Sequence, residues 1–269
     1  MIHPKLLFSL NIKNRISDMN GNQRYCAVVE YDGTDFVGFQ RQRDEFRTVQ
    51  GELESALSKL GQGMVSVVAA GRTDSGVHAT GQVISFDLTW KSSLSKLMLA
   101  INLHLPWDIA IRKVDLAKSG FHPRFDAKRR AYQYHIELCG DRARRPLTRN
   151  RKWQVFQPLD VLAMNAAAKC LVKKTDFSTF GMPPQGNNAV REVFVAKWTQ
   201  SGNELTFFIE ANAFLYRMVR SIAGSLKLVG DGSWSIDDFK DALEASDRKR
   251  SAAVAPARGL YLSSVTYEK

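Results

Sequence analysis

The sequence predicts an α+β protein made of two halves that repeat one order of elements, β-α-β-β-α-β. Three observations carry this reading: short runs rich in β-branched and aromatic residues, longer stretches with apolar residues at helical spacing, and the return of the same order past residue 121. At 269 residues the chain has room for two domains of roughly 150 residues, or one large one.

Taken in order, residues 25–31 read as a strand that stops at the turn signal Asp32-Gly33. After a Gln- and Arg-rich loop, Val49, Leu53, Ala56, Leu57 and Leu60 fall on one helical face. Residues 64–70 and 82–88 read as strands flanking the polar loop 71–80, and a helix over 94–103 and a strand over 109–114 complete the first half. The second half has a strand over 131–138, a helix over 159–172, strands over 190–199 and 204–210, a helix over 214–229 and a strand over 260–267. An added helix over 236–245 precedes that last strand and opens on a Ser235/Asp238 capping box. The order repeats without any repeat of sequence. Each half thus has the split-βαβ form called ferredoxin-like, and the expected boundaries are an extension over 1–22, a first half over 23–120 and a second over 121–269. Periodicity does not decide whether the two sheets join or face one another across a basic cleft.

Composition excludes several classes. With 44% hydrophobic and 24% charged residues the chain matches a globular protein, not a disordered one. No apolar run approaches the roughly 18 residues of a membrane span, so no membrane role is expected. Cys26, Cys139 and Cys170 are odd in number and scattered, which offers neither a disulfide framework nor a metal knuckle and makes a reducing cytoplasm the default. The first 20 residues lack the apolar core of a secretory signal and read as an ordinary extension, with a weak transit peptide or a start at Met19 as alternatives.

The 38 Lys+Arg against 27 Asp+Glu leave a charge of +11. Between Phe121 and Lys152 there are ten basic residues and three acids, with Phe121, Phe125, Tyr132, Tyr134 and His135 interleaved. Eight of the ten are arginines, whose planar fork suits phosphate, and aromatics among them suit base stacking. Nucleic acid is the expected partner, although a solvated basic face has a similar composition.

The stretch most suggestive of chemistry is Gly71-Arg72-Thr73-Asp74-Ser75-Gly76-Val77-His78-Ala79. Two glycines bracket an Asp beside an Arg in a loop between apolar strands, so the backbone can bend and aim a carboxylate off the sheet. The same residues also suit an ordinary turn. Gly76 to Gly81 has phosphate-loop spacing, but Gln82 stands where the lysine belongs, which excludes that reading.

This loop resembles the signature of the tRNA pseudouridine synthase A (TruA) family. Further blocks resemble that family in the same order: Tyr31-Asp32-Gly33 with Gly38-Phe39-Gln40-Arg41-Gln42, Phe121-His122-Pro123-Arg124-Phe125, Arg130-Ala131-Tyr132-Gln133-Tyr134, and Ala211 to Arg220. The resemblance covers roughly residues 25 to 267. It implies isomerisation of uridine to pseudouridine at positions 38, 39 and 40 of the tRNA anticodon stem-loop, by a homodimer that uses no cofactor and no metal. It makes Asp74 the catalytic carboxylate, paired with Arg220. Arg72 would take the place of the departing base or steer it, and Tyr132 would stack on the uracil. Arg41, Arg124, Arg129 and Arg130 are the expected RNA contacts.

Without the resemblance, Tyr132 is equally a core residue of an alternating strand and Arg220 equally a residue snorkelling beside an apolar helix face. His78, near Asp74, reads as a loop hydrogen-bonding or RNA-contact residue before a general base. Phe39 stands where the family often has Trp, the stretch 186–190 lacks an expected hydroxyl residue, and residues 1 to about 22 have no family counterpart. The rival function is a non-catalytic RNA-binding or RNA-folding module using the same basic cleft.

Overall fold

The computed structural model describes residues 21–43, 45–61 and 63–267, so nearly all of the 1–22 extension lies outside the described residues. The first half comprises β1 (Gln23–Tyr31), α1 (Val49–Leu60), β2 (Val68–Ala69), β3 (His78–Leu88), α2 (Leu94–His104) and β4 (Ile109–Leu116). The second comprises β5 (Arg129–Leu138), β6 (Trp153–Val155), α3 (Val161–Lys169), β7 (Lys174–Asp176), β8 (Val190–Ser201), β9 (Glu204–Ala211), α4 (Met218–Gly230), α5 (Ile236–Glu244) and β10 (Leu260–Thr266).

The ten strands of the described residues form one mixed sheet, in the order β4-β1-β3-β10-β5-β9-β8-β7, with β2 beside β3 and β6 beside β5. The two sets of strands therefore join. Within each half the principal ladders are antiparallel, and the join is parallel, with Tyr261 opposite His78 and Leu262 opposite Ala79. Gly81 makes this close approach feasible, since a Cβ there would lie 2.2 Å from the Ser263 carbonyl oxygen.

Each half has its own apolar core, and each core borrows from the other half. Leu53, Leu57, Ile84, Leu97 and Ile101 centre the first, which also takes in Leu262 and Val265 of β10. Trp198, Phe207, Phe180, Phe239 and Ile222 centre the second, which takes in Val77. Tyr132 packs against both. Burial of each large apolar side chain favours folding by roughly 1.5–3 kcal/mol, so this exchange ties the halves at the join.

The helices form where spacing and caps predict. Thr48 caps α1 by accepting from the Gly51 N–H, and Ser235 and Asp238 make the reciprocal capping box of α5. Several boundaries differ from expectation, three of them near the candidate site. The strand expected over 64–70 shortens to Val68–Ala69, and β3 begins at His78 because His78 and Gln82 are buried with their polar atoms hydrogen-bonded. The helix expected from 214 starts at Met218, because Arg217 is left-handed (φ +63°) and breaks the register. The short strands β6 and β7 carry too few residues to show a period.

Candidate active site

Asp74 lies in the tight loop between β2 and β3, and that loop is fastened from several sides. Tyr31 and Thr73 share a buried hydroxyl–hydroxyl hydrogen bond of 2.7 Å. The Phe39 N–H donates to the Thr73 carbonyl at 3.0 Å, Ser75 Oγ donates to the Phe36 carbonyl at 3.1 Å, and Gln82 Nε2 donates to the Gly71 carbonyl at 2.8 Å. A Cβ on Gly33 would fall 2.0 Å from the Val77 carbonyl oxygen. The Tyr31–Gly33 and Gly38–Gln42 blocks thus clamp the Asp74 loop. Phe39 is buried with its ring 6.2 Å from that of Tyr31, so its role here is packing.

Arg220, 146 residues further along, stands in the first turn of α4. Its Nη1 donates to Asp74 Oδ2 at 3.0 Å and its Nε to the Ala255 carbonyl at 2.7 Å. The two side chains are 14% and 25% exposed, so the pair is largely withdrawn from solvent yet open on one side. Buried Met218, Val219, Ile222 and Leu226 fix the helix that carries it.

Tyr132 completes the group from β5. Its ring meets Phe214 edge-on, with centroids 5.0 Å apart. Burial pushes its phenol up to about 12, with the negative charge of Asp74 adding to this and Arg130 opposing it, so the hydroxyl stays protonated and neutral at physiological pH. Arg72 is exposed and has no hydrogen-bond or ion-pair partner among the described residues.

The four residues expected to hold RNA differ in availability. Arg124 is exposed beside the Phe125 ring. Arg41 pairs with Glu54 at 3.0 Å, and Arg129 pairs with Glu210 at 2.9 Å while lying over the Phe194 ring. Arg130 points inward and directs its guanidinium at backbone carbonyls.

His78 is buried and works as a loop fastener. Its Nδ1 accepts from the Gly33 N–H at 3.0 Å and its Nε2 faces the carbonyls of Asn150 and Arg258 at 3.0 and 3.2 Å. The Gly33 bond suits a neutral ring protonated on Nε2, and burial lowers its pKa, although Asp32 Oδ1, 3.1 Å from Nδ1, opposes that shift. Its ring stacks on Tyr261, which in turn meets His135 edge-on. Strand alternation puts His135 on the opposite side of β5 from Tyr132 and Tyr134, so this trio lies away from Asp74. Phe214 and the Ala255 carbonyl were not legible beforehand: Phe214 reads as helix core, and a carbonyl partner has no sequence signal.

Among the described residues, no group of three or more His, Cys, Asp or Glu side chains could hold a metal ion, and no helix is long and apolar enough to cross a membrane.

Comparisons with known proteins identify the family. Residues 27–126 and 167–268 match the family described as tRNA pseudouridine synthase. A tRNA pseudouridine synthase A of Caulobacter vibrioides (strain NA1000 / CB15N) is 43% identical over 246 residues, which cover 91% of this chain and 98% of the relative. Proteins of the same name from Rhizobium meliloti (strain 1021) and Pseudothermotoga lettingae are 45% and 40% identical, each again over 91% of this chain, with 99% and 100% of the relatives covered. On the family match and on this near full-length identity, the chain belongs to the tRNA pseudouridine synthase family.

Proposed function

We propose that the protein isomerises uridine to pseudouridine at positions 38, 39 and 40 in the anticodon stem-loop of tRNA, with Asp74 as its catalytic carboxylate. The observation that carries this reading is the Asp74–Arg220 pair, formed between a glycine-bracketed loop and a helix start at the join of the halves, with the neutral phenol of Tyr132 beside it. The reaction breaks the N1–C1′ bond, turns the uracil and joins C5 to C1′. C5 loses a proton and N1 gains one, so the step balances without cofactor or metal. Attack of Asp74 on C1′ and removal of a sugar proton by Asp74 both require a charged, aimed carboxylate, which Arg220 orients. The target nucleotide leaves its stack at a cost of a few kcal/mol, and stacking on Tyr132 offsets roughly 1–3 kcal/mol of that. Arg72, unpartnered at the mouth, steers the extruded base or fills the place it leaves.

The strand orders β4-β1-β3-β2 and β10-β5-β9-β8 support reading each half, 23–120 and 121–269, as ferredoxin-like. The exposed arginines of residues 121–152 suit a polyanion along that join. A homodimer acting in the cytoplasm is part of the same proposal; tRNA as its substrate is supported by the names of the bacterial relatives.

Tritium release from tRNA carrying 5-tritiated uridine tests the reading. Wild type releases tritium and Asp74→Asn does not. An Asp74→Asn protein of full activity, or a wild-type protein that binds tRNA and leaves uridine intact, favours the non-catalytic RNA-binding alternative.

A further inference from the structure

Alternation along β5 puts Arg130, Tyr132 and Tyr134 on one face. The five guanidinium hydrogen bonds of Arg130 all end on backbone carbonyls. Nε and Nη2 donate to Ala70 at 3.4 and 3.3 Å, Nη1 to Asn212 at 2.8 Å and Ala127 at 3.4 Å, and Nη2 to Arg124 at 2.5 Å. A guanidinium has five N–H donors, so the fork is filled and none remains for a phosphate. Among the described residues no carboxylate takes part in these bonds, and burial lowers the pKa of Arg130, with Tyr132 and Tyr267 opposing and Arg124 adding to it. A half-buried cation held, among the described residues, by carbonyl dipoles is costly, which makes its geometry the thing to explain.

The carbonyls it gathers belong to three distant parts of the chain. Ala70 immediately precedes the loop that carries Asp74, Asn212 leads into Phe214 and Arg220, and Arg124 and Ala127 lie in the Arg-rich segment. We propose that Arg130 is a positioning residue for the isomerisation, holding the entrance of the Asp74 loop against the approach to α4 so that Asp74 meets Arg220 and Tyr132, and is not an RNA contact. This rests on the reading of Asp74 as the catalytic carboxylate. Lysine cannot replace it, because an ammonium offers three donors from one point and cannot span three segments.

The test uses full-length Arg130→Lys, Arg130→Ala, Arg124→Ala and Asp74→Asn proteins. It measures tritium release in a single turnover at saturating enzyme, tRNA affinity across a salt series, and thermal melting. Displacing the reacting groups by a fraction of an ångström lowers the Arg130→Lys rate roughly 10- to 100-fold. Its tRNA affinity and salt slope stay at the wild-type values, and added guanidinium ion restores part of the rate to Arg130→Ala. Arg124→Ala shows a different pattern, with weaker tRNA binding and a shallower salt slope.

If Arg130→Lys keeps the full rate, or Arg130→Ala weakens tRNA binding with a salt slope reduced by about 0.7–0.9, the residue is dispensable or a phosphate contact and the proposal fails. It fails equally if the variant only melts earlier while its folded fraction turns over normally. Should Arg130→Ala not fold, Arg130→Lys decides alone. Full activity in Asp74→Asn overturns the underlying reading; an inactive Asp74→Asn beside a fully active Arg130→Lys overturns the positioning role only.

Discussion

Replacing Arg220 by Met keeps most of the side-chain volume on α4 and removes the charge and both hydrogen bonds, to Asp74 and to Ala255. At the observed 3.0 Å the Coulomb energy between unit charges is about 1.4 kcal/mol in a water-like dielectric and about 5.5 kcal/mol at an effective dielectric of 20. With the side chains 14% and 25% exposed, the pair sits between those limits, near 3 kcal/mol. The variant must hold the same carboxylate, charged and aimed, beside an anionic substrate without that contribution. Its single-turnover rate of tritium release therefore falls roughly 100-fold. Arg220→Lys keeps the charge but cannot reach Asp74 and Ala255 with a planar fork, and falls between the two. Affinity for tRNA changes little in either variant. An Arg220→Met protein within a few-fold of the wild-type rate refutes the claim that this pair readies Asp74.

Tyr132→Phe keeps the ring and retains most binding of the extruded base, whereas Tyr132→Ala loses roughly 1–3 kcal/mol of stacking, read as a raised KM and a slower turnover. Gly33→Ala sets a methyl where the Val77 carbonyl oxygen lies at 2.0 Å, so the Asp74 loop shifts and activity falls further than thermal stability does, as parallel rate and melting measurements will show. Burial, reinforced by Lys152, lowers the His135 pKa to about 4. Its unfolded value is about 6.5, so the unfolded chain binds the extra proton, and stability is complete above pH 6.5 and declines as pH falls toward 4, by up to about 3 kcal/mol. Urea unfolding of wild type and His135→Asn at pH 7.5 and 4.5 checks the sign; an acid loss of the same size in both assigns it elsewhere.

The order of elements was legible because each strand and helix carries its own period and stop signals, and because both halves obey the same order. Their joining was not, since it depends on a parallel contact of two residue pairs and on Gly81 lacking a side chain. The start of α4 was misplaced because apolar spacing continues through Phe214 and Leu215 while the backbone at Arg217 does not. In the site, the glycines around Asp74 were visible as a loop able to present a carboxylate. Its partner was not, because no spacing rule connects residues 146 apart, and only family resemblance proposed Arg220. Arg130 shows the limit of counting charge: among basic neighbours it reads as an RNA contact, and only its five carbonyl bonds reveal an inward role.

The Arg-rich segment is attached at both ends to the loop that carries Asp74. Near its beginning, the carbonyls of Arg124 and Ala127 share the Arg130 guanidinium with Ala70, at the loop's entrance. Near its end, the Asn150 carbonyl meets His78, at the loop's exit, and Arg151 pairs with Asp32 at 3.0 Å beside the Gly33 turn that packs on the same loop. Surface ion pairs such as Arg151–Asp32 contribute about 0–1 kcal/mol, too little to matter for stability alone. Their consequence is geometric. On the proposed function, a polyanion bound along residues 121–152 would lie at a fixed distance from Asp74, because that segment and the Asp74 loop share their fastenings. Loosening one end, by Arg151→Ala, leaves the Arg130 end in place. It should therefore reduce tRNA affinity and the salt slope before it reduces the rate at saturation, while loosening the Arg130 end does the reverse.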